Sequence, residues 1–347
     1  MAESERNIWK SVASGSLKRR GQCFDLLRTI GSYGFSPYCL AALLWTTSAL
    51  SGAPIQHRFL VMDFWKGKVT HVDEKNPSNN WEMPWAGGLR DWQLIGQNRL
   101  LISCDDGYTV YDLISRAKVE EFHLPLLKGV TTVSRRKDGT TWFGTNQGEK
   151  VCIYSMDSTH AILQTINFPD LKWLRVMRFT SDNTLLLAEY DGATEISTKQ
   201  NEPAPIIRRF PLPRPRCAYM ALKAADGTCW LAGGYAQGLI QYGKDGKLLR
   251  EFQAKQPAGL VNWFYAGFQF LGNGHIVQSN WTGHGEGDFQ EGWKLIEFDA
   301  EGQVVWHWYV PREQAGSINA VLVLDDLDIS VFHDDLDLAR PPVSRAP

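Results

Sequence analysis

The sequence predicts an all-β protein, a β-propeller of six four-stranded blades whose ring is closed by strands from both ends of the chain. Three observations support this fold class. A strand–turn–strand unit recurs along the chain at the spacing of a propeller blade. Turn signals built from Gly, Asn and Asp recur in register with it. The chain also contains 31 Gly and 14 Trp, a composition typical of many short, packed strands.

The repeat is clearest in the predicted first strand of each blade. The middle positions of these strands are separated by 39, 44, 44, 46 and 54 residues, and they are Gln93, Thr132, Val176, Met220, Ala266 and Ala320. Four-stranded blades have about this length, roughly 40 to 50 residues. Two-residue and three-residue turns such as Lys137-Asp138-Gly139 and Ala225-Asp226-Gly227 follow the first strands and predict antiparallel neighbours.

The two ends of the repeat region are predicted to complete one blade. The last first strand, near Asn319 to Leu324, has no full blade after it, and residues 57–85 offer strands with no first strand before them. Joining them removes exposed sheet edges and gives six blades. Seven blades, with Phe59 to Phe64 in a divergent extra unit, and a two-sheet sandwich are the alternatives. The predicted propeller covers residues 54–330, and residues 331–347 form a C-terminal tail.

Residues 1–53 are predicted to be a signal peptide or another N-terminal targeting segment. Basic residues precede an apolar run from Tyr38 to Ala49, and small residues ending at Ala53 follow it. The run is shorter than the ~20 residues of a membrane-spanning helix, so we expect export to the periplasm or the extracellular space, with no stable membrane span after signal removal. A packed N-terminal helix is the alternative interpretation.

The cysteines permit disulfides without requiring them. Four remain after residue 53, and two of these, Cys152 and Cys229, lie inside strand-like runs where buried free thiols are common.

The charge balance argues against nucleic acid as a partner. With 36 basic and 38 acidic residues and no strong basic patch beyond the first thirty positions, the chain carries no electrostatic footprint for nucleic acid.

One repeat resembles a known group of proteins. The stretch from Asn273-Gly274-His275-Ile276-Val277 to Leu295-Ile296-Glu297-Phe298-Asp299 and on through Gly302 to Trp306 is similar to the repeat of secreted bacterial propellers of the PQQ-like and arylsulfotransferase-like groups. The resemblance implies the propeller fold over roughly residues 57–328. It implies no activity, because the catalytic histidine of the arylsulfotransferases matches no particular position of this chain.

Polar residues accumulate in the loops that a propeller gathers around one mouth of its channel. The loops between second and third strands carry carboxylates, amides and aromatic rings, and those entering the first strands add Arg90, Lys128, Arg175, Arg216 and Asn319. We predict catalytic roles for Asp105, Glu189 and His284. We predict ligand contacts from Asn146, Arg175, Tyr235, Asn280, Trp281 and Asn319. Asp-Gly and Asn-Gly pairs also form ordinary turns, which is the competing interpretation for Asp106 and Asp191.

The longest of these loops, residues 280–292, is the most distinctive. Its four glycines allow close approach to a ligand, and His284 within it can act as acid, base or metal ligand near neutral pH. Long loops in compact folds are often functional.

Three functions fit this pattern. The first is an exported propeller that binds a carbohydrate or another small polar ligand at the channel mouth. The second is a metal-assisted hydrolase or lyase, similar to lactonase propellers, with Ca²⁺ or Mg²⁺ as the ion that oxygen ligands from several blades would hold. The third is a protein-interaction scaffold. The fold alone does not choose among them.

Overall fold

Six antiparallel sheets of four strands each form a ring, which confirms the predicted six-bladed propeller. The computed structural model describes residues 54–85, 90–148, 150–199, 206–214, 217–284 and 287–339. The predicted signal segment, residues 1–53, and the end of the predicted tail, residues 340–347, lie outside the described residues. Among the described residues, no helix has the length and apolar character needed to cross a membrane.

Blade 1 is built from both ends of the described chain, as the repeat predicted. Its strands are β1 (Arg58–Asp63), β2 (Lys68–Asp73), β3 (Trp81–Pro84) and, from the C-terminal side, β24 (Ile318–Val323). Strand β24 pairs antiparallel with β1, with Leu60 opposite Leu322. This pairing closes the ring and leaves β24 as the first strand of the blade. It also removes the exposed edges that both fragments would otherwise present.

The other blades follow one another along the chain. Blade 2 contains β4 (Trp92–Leu94), β5 (Arg99–Cys104), β6 (Gly107–Asp112) and β7 (Lys118–His123). Blade 3 contains β8 (Val130–Arg135), β9 (Thr141–Gln147), β10 (Lys150–Met156) and β11 (Ile162–Phe168). Blade 4 contains β12 (Met177–Phe179), β13 (Thr184–Glu189), β14 (Gly192–Ser197) and β15 (Ile206–Pro211). Blade 5 contains β16 (Ala221–Lys223), β17 (Cys229–Ala232), β18 (Leu239–Tyr242) and β19 (Leu248–Phe252). Blade 6 contains β20 (Tyr265–Phe270), β21 (Ile276–Asn280), β22 (Leu295–Phe298) and β23 (Val304–Trp308).

The core is divided among the six junctions between neighbouring blades. Each junction holds one cluster of buried apolar side chains. Alternate residues of a strand point to opposite faces of its sheet, so one strand supplies two junctions. In β5, for example, Leu100 and Ile102 pack towards blade 1, whereas Leu101 packs towards blade 3. Both faces are buried, which explains why the inner strands read as continuous apolar runs.

The predicted turns have the backbone geometry that their residues favour. Gly139 and Gly227 have φ values of +87° and +82° at the turns between first and second strands, a region that glycine enters without steric cost. All four cysteines of the described residues are buried free thiols, as expected for Cys152 and Cys229. We call the side of the ring that carries the loops between second and third strands, and the loops entering the first strands, the upper face.

Residues 325–339 cover the opposite, lower face. A single helical turn, α1 (Asp335–Leu338), is capped by Asp334, whose side chain accepts hydrogen bonds from the backbone N–H groups of Leu336 and Asp337. Phe332 forms an isolated β-bridge with Ile95. Residues 331–339, which the sequence assigned to a tail, therefore pack against the propeller.

Candidate ligand site at the upper mouth of the channel

Side chains from five blade segments meet where the channel opens on the upper face. We call Arg90, Arg175, Tyr219, Trp281, His284 and Asn319 the mouth cluster. Three of these residues belong to loops entering a first strand, Asn319 belongs to β24, and Trp281 and His284 follow β21. The predicted residues Arg175, Trp281, His284 and Asn319 are thus brought together, and Tyr235 lies beside them.

Tyr219 joins the cluster through hydrogen bonds. Its hydroxyl donates to the backbone carbonyl of Arg90 at 2.8 Å and accepts from Nδ2 of Asn319 at 2.9 Å. Tyr219 and Asn319 are almost completely buried. Burial raises the pKa of Tyr219 to about 12, although the charges of Arg90 and Arg175 act in the opposite direction. The phenol is therefore a fixed, neutral hydrogen-bonding group that joins blade 5 to blade 1 across the channel.

Aromatic rings form the wall of the cluster. Trp281 meets Phe264 at 5.5 Å between ring centroids and Tyr219 at 6.0 Å, both edge to face. Tyr235 packs on Phe264 at 4.8 Å. The Trp281 indole is only 1% exposed, and its Nε1 donates to the carbonyl of Gly283 at 2.7 Å. Trp281 therefore supports the site from within and offers no open face on which a sugar ring could stack.

His284 is held against this wall. Its ring lies 4.5 Å from that of Trp281 at an angle of 37°. Its backbone N–H donates to Oδ2 of Asp288 at 3.0 Å, and its Nδ1 lies 3.5 Å from the same oxygen. Burial lowers the pKa of His284, Asp288 opposes this shift, and the charges of Arg175 and Arg90 reinforce it. The imidazole is consequently neutral near pH 7 and able to accept a proton.

Positive charge dominates the mouth. Arg175 is 2% exposed, and the centre of its guanidinium lies 5.8 Å from the ring centroid of Trp173. The guanidinium of Arg90 lies 5.3 Å from the ring centroid of Phe64. The charges of both arginines act on the pKa of Tyr219 and of His284, so both cations are near enough to these groups to influence their protonation. A partly buried site of this charge attracts an anionic group.

A small cavity of about 20 Å³ lies in the described part of the channel below the mouth, and its lining includes Arg90, Tyr219, Phe268, Ala320 and Leu338. This volume suffices for about one water molecule. A ligand of the size of a sugar would therefore bind above the mouth cluster and not inside the channel.

A buried ion network closes the lower end of the channel. Arg178 makes two hydrogen bonds to Asp91, with its NH2 2.6 Å from Oδ1 and its NH1 2.9 Å from Oδ2. Its Nε lies 3.4 Å from Oδ1 of Asp335 in α1. Asp335 also accepts from the backbone N–H of Phe179 at 2.8 Å. Burial works to lower the pKa of Arg178, but the two carboxylates outweigh it and raise that pKa.

The two predicted catalytic carboxylates have hydrogen-bond or ion-pair partners outside the mouth cluster. Glu189, 6% exposed, accepts a hydrogen bond from Thr194 and pairs with Arg209 at 3.3 Å. Burial raises the pKa of Glu189, and these partners limit the rise. Asp105 has an exposed side chain, and its backbone carbonyl accepts from the N–H of Gly129 at 2.7 Å. The Glu189 carboxylate is therefore held within blade 4, whereas the backbone of Asp105 links blade 2 to the loop entering blade 3.

Two of the predicted ligand-binding amides hold loops in place. Asn146 accepts from the backbone N–H of Leu174 at 3.0 Å and donates to its carbonyl at 2.9 Å, which fixes the residue preceding Arg175. Asn280 accepts from the N–H of Trp263 at 2.8 Å and donates to the carbonyl of Trp293 at 2.9 Å. Asn280 is completely buried, and its amide is occupied by these backbone groups.

The residues present at the mouth do not suit Ca²⁺ or Mg²⁺. These ions require several oxygen ligands, preferably carboxylates. The two arginines of the mouth cluster repel a cation, and Glu189 is already paired with a third arginine. In the described part of the chain, three converging carboxylate, imidazole or thiol ligands occur at one place only, Cys104, Asp106 and His123, and none of these belongs to the mouth cluster.

Several residues of the site were missed by sequence reasoning. Tyr219 and Phe264 stand in apolar runs that read as strand residues, and Asp91 and Asp335 stand beside turn-like residues. Their position at the start of a predicted first strand could have identified Tyr219 and Phe264, because such residues face the channel. The sequence analysis used this criterion for the arginines and for Asn319, but not for aromatic residues.

Comparisons with known proteins support the fold. No protein-family model matches the chain, and a search of curated proteins finds no match. Among solved structures, a protein of unknown function from Bacteroides caccae is similar with a TM-score of 0.62 and 19% identity, over 77% of this chain and 98% of that one. A streptogramin B lyase gives a TM-score of 0.53 and 12% identity, over 75% of this chain and 82% of that one.

A second lyase structure is also similar. It is a catalytically inactive histidine-to-alanine variant of virginiamycin B lyase from Staphylococcus aureus with quinupristin, with a TM-score of 0.51 and 13% identity, over 75% of this chain and 87% of that one. At these identities the likeness concerns the fold alone. The comparisons therefore support the resemblance at the level of a β-propeller, while membership of the PQQ-like or arylsulfotransferase-like groups stays a prediction.

Proposed function

We propose that the protein binds a small polar ligand with an anionic group, such as a carbohydrate that carries a carboxylate, at the mouth cluster. The observation that carries this proposal is the presence of Arg90 and Arg175 at the mouth together with one neutral, largely buried imidazole, His284. Guanidinium groups bind carboxylate, sulfate and phosphate through charge-assisted hydrogen bonds. The aromatic wall excludes water from one side of the site, which strengthens those bonds.

Matched ligand pairs test the proposal. Thermal unfolding and calorimetric titration of the protein would compare glucuronate with glucose, and further anionic compounds with neutral analogues of the same shape. We expect the anionic member of a pair to raise the unfolding midpoint and to bind at least about 10-fold more tightly, because a hydrogen bond to a charged group contributes about 1.5–3 kcal/mol.

Variants of two arginines on the same face locate the site. Arg90→Gln should weaken binding of the anionic ligand by about 10-fold or more. Arg312→Gln is the matched control, since Arg312 is half exposed on the upper face and pairs with Glu313 at 3.1 Å. Equal binding of the charged and neutral members would reject the anionic ligand. Binding of neither would reject small-molecule recognition and favour the interaction scaffold.

A lyase at the same mouth is the second candidate function. The observation in its favour is that His284 is kept neutral beside two guanidinium groups. A neutral imidazole can remove a proton from carbon, and a guanidinium can stabilise the negative charge that develops on an adjacent carbonyl oxygen. The similar lyase structures, one of them inactivated by replacement of a histidine, support this candidate.

Turnover of quinupristin, followed by chromatography, tests the lyase directly. We expect conversion by the wild-type protein, loss of conversion in His284→Ala, and retained activity below pH 6.5 because the pKa of His284 is lowered. Conversion that survives in His284→Ala would exclude this histidine as the base. His307→Ala, which removes an exposed imidazole from β23 of the same blade, serves as the control.

We also propose export to the periplasm or the extracellular space, on the basis of the order of basic, apolar and small residues before Pro54. Expression of the full chain in a bacterium, followed by fractionation and N-terminal sequencing, tests this proposal. A new N-terminus near residue 50 in the exported fraction would support it, whereas an intact chain retained in the cytoplasm would reject it.

A further inference from the structure

Three donor atoms of different chemical types converge on the upper rim of blade 2. The Cys104 Sγ lies 3.8 Å from Nδ1 of His123 and 3.9 Å from Oδ1 of Asp106. The same Nδ1 and Oδ1 atoms lie 2.6 Å apart. All three distances involve one atom of each residue, so the donors form a compact triangle and not a chain of contacts.

We propose that Cys104, Asp106 and His123 bind a zinc-class transition-metal ion, Zn²⁺ in the first instance. A tetrahedral ion with Zn–S of about 2.3 Å and Zn–N and Zn–O of about 2.0–2.1 Å places such donors about 3.3–3.6 Å from each other. The two distances from Cys104 exceed this range by only about 0.2–0.3 Å. Only the contact between His123 and Asp106 must open, by about 0.7 Å, to admit the ion.

The backbone holds the three residues in place before any ion binds. Cys104 ends β5 and pairs with Gly107 across the turn, and Gly107 in turn pairs with His123 at the end of β7. A Cβ atom on Gly107 would lie 1.9 Å from the carbonyl oxygen of Phe122, so only glycine allows β7 to approach this closely. The close approach brings the imidazole against the turn that carries Asp106.

The donor types select the metal. Thiolate and imidazole prefer Zn²⁺ and related transition metals, whereas Ca²⁺ and Mg²⁺ require an all-oxygen shell. One thiolate, one carboxylate and one neutral imidazole balance the charge of a divalent ion completely, which lowers the cost of a partly buried centre. The side chains of Asp106 and His123 are 41% and 47% exposed, so water can fill the fourth position.

The geometry argues against a thiol nucleophile activated by a His–Asp pair. Such a triad uses the two ring nitrogens of histidine in turn, one for the nucleophile and one for the carboxylate. Here the thiol and the carboxylate both face Nδ1 of His123. Cys104 is also buried, which suits a metal ligand anchored in the core better than an attacking group.

Binding requires the thiol to lose its proton. The Cys104 Sγ–H bond breaks, the thiolate forms the Zn–S bond, and the proton passes to buffer. The Nδ1 lone pair of His123 binds the ion only when Nδ1 carries no proton, so that proton moves to Nε2 or is also released to buffer. At least one proton is therefore released for each Zn²⁺ bound, and no electron is transferred.

Cobalt substitution tests the site with a readout other than activity. The untagged full chain, stripped with a chelator and kept reduced, would be titrated with Co²⁺ and then with Zn²⁺. We expect a thiolate-to-cobalt charge-transfer band that saturates at one equivalent and disappears on addition of Zn²⁺. Calorimetry in two buffers of different protonation enthalpy should give at least one proton released per Zn²⁺.

Three variants separate ligation from folding. Cys104→Ser should abolish the band, and His123→Gln, at a half-exposed position that the fold tolerates, should weaken Zn²⁺ binding by more than about 100-fold. Cys152→Ser, which removes another buried thiol, is the matched control and should retain the band. Absence of the band in the wild-type protein, its persistence in Cys104→Ser, or undiminished Zn²⁺ binding by His123→Gln would overturn the proposal.

Discussion

His57 fastens the two ends of the propeller, and its replacement should reveal a pH-dependent contribution to stability. The residue precedes β1, and its Nδ1 lies 2.6 Å from Oδ2 of Asp325, which follows β24. Its Nε2 lies 2.9 Å from Oε2 of Glu297 in β22. Carboxylates only accept hydrogen bonds, so both ring nitrogens must donate, and only the protonated imidazolium can do so. The ring closure therefore contains a buried positive charge between two negative charges.

The magnitude follows from the pKa of His57. Burial acts to lower this pKa, but the hydrogen bonds and charges of Asp325 and Glu297 outweigh it and raise the pKa from 6.5 to about 9. At about 1.4 kcal/mol for each tenfold change, this corresponds to about 3 kcal/mol of stability. Because the folded-state pKa lies above the unfolded value, the contribution is complete below pH 6.5 and is lost as the pH rises through about 9. About 2 kcal/mol of it should disappear between pH 6 and pH 8.

Urea unfolding followed by tryptophan fluorescence at pH 6, 7 and 8 measures this loss. His57→Gln should cost about 3 kcal/mol at pH 6 and only about 1–1.5 kcal/mol at pH 8. The measurements stop at pH 8 because burial lowers the pKa of Lys294 to about 8. Above that pH the titration of Lys294 makes the free energy of unfolding rise with pH, which opposes the effect of His57.

His71→Gln is the control. Burial lowers the pKa of His71 in the folded state, so its contribution to stability rises with pH up to about 6.5, and the loss of stability in His71→Gln should not become smaller between pH 6 and pH 8. An equal loss of unfolding free energy in His57→Gln at pH 6 and pH 8 would refute the argument. His57 would then stabilise the ring closure through packing alone.

Three further changes test the buried polar groups. Lys294→Met should raise the free energy of unfolding at pH 7 by about 1–3 kcal/mol in urea titrations. The reason is that the fully buried ammonium makes a single hydrogen bond among the described residues. A lower free energy of unfolding in this variant would contradict the prediction. Arg178→Met should cost about 3–5 kcal/mol by the same assay, since Asp91 and Asp335 remain buried without their cation, and a cost below about 1 kcal/mol would show that the network is dispensable. Asn280→Ala should lower the free energy of unfolding by about 2–3 kcal/mol, because buried backbone groups lose their partners. An unchanged free energy of unfolding would show that these hydrogen bonds do not stabilise the fold.

Much of the fold was determined by local sequence. Blade length is set by four short strands and three turns, and turns depend on residues such as Gly139 that adopt a positive φ. The repeat therefore predicted six blades, the first strand of each, and the closure by β24 with β1, all of which the structure confirms. Packing of both sheet faces explains the continuous apolar runs that marked the strands.

The site depended on tertiary structure because its members come from different blades. Sequence position placed Arg175 and His284 on one face, but the ring decided that both lie near Arg90 and Tyr219. Polar residues that look alike in sequence consequently have different roles. Asn319 belongs to the mouth cluster because its side chain donates to the Tyr219 hydroxyl. The side-chain oxygen and nitrogen of Asn280, in contrast, both form hydrogen bonds with backbone groups.

The sequence by itself determined what the chain does within each blade, namely where strands begin, where they turn and how many units close the ring. Tertiary structure alone decided which titratable groups meet across blades: His57 with Glu297, Arg178 with Asp335, and the arginines with His284. The physical reason is the separation in sequence over which each interaction acts. Strand alternation and turn geometry depend on neighbouring residues, whereas charge pairing and burial depend on distances set by the register and closure of the whole ring.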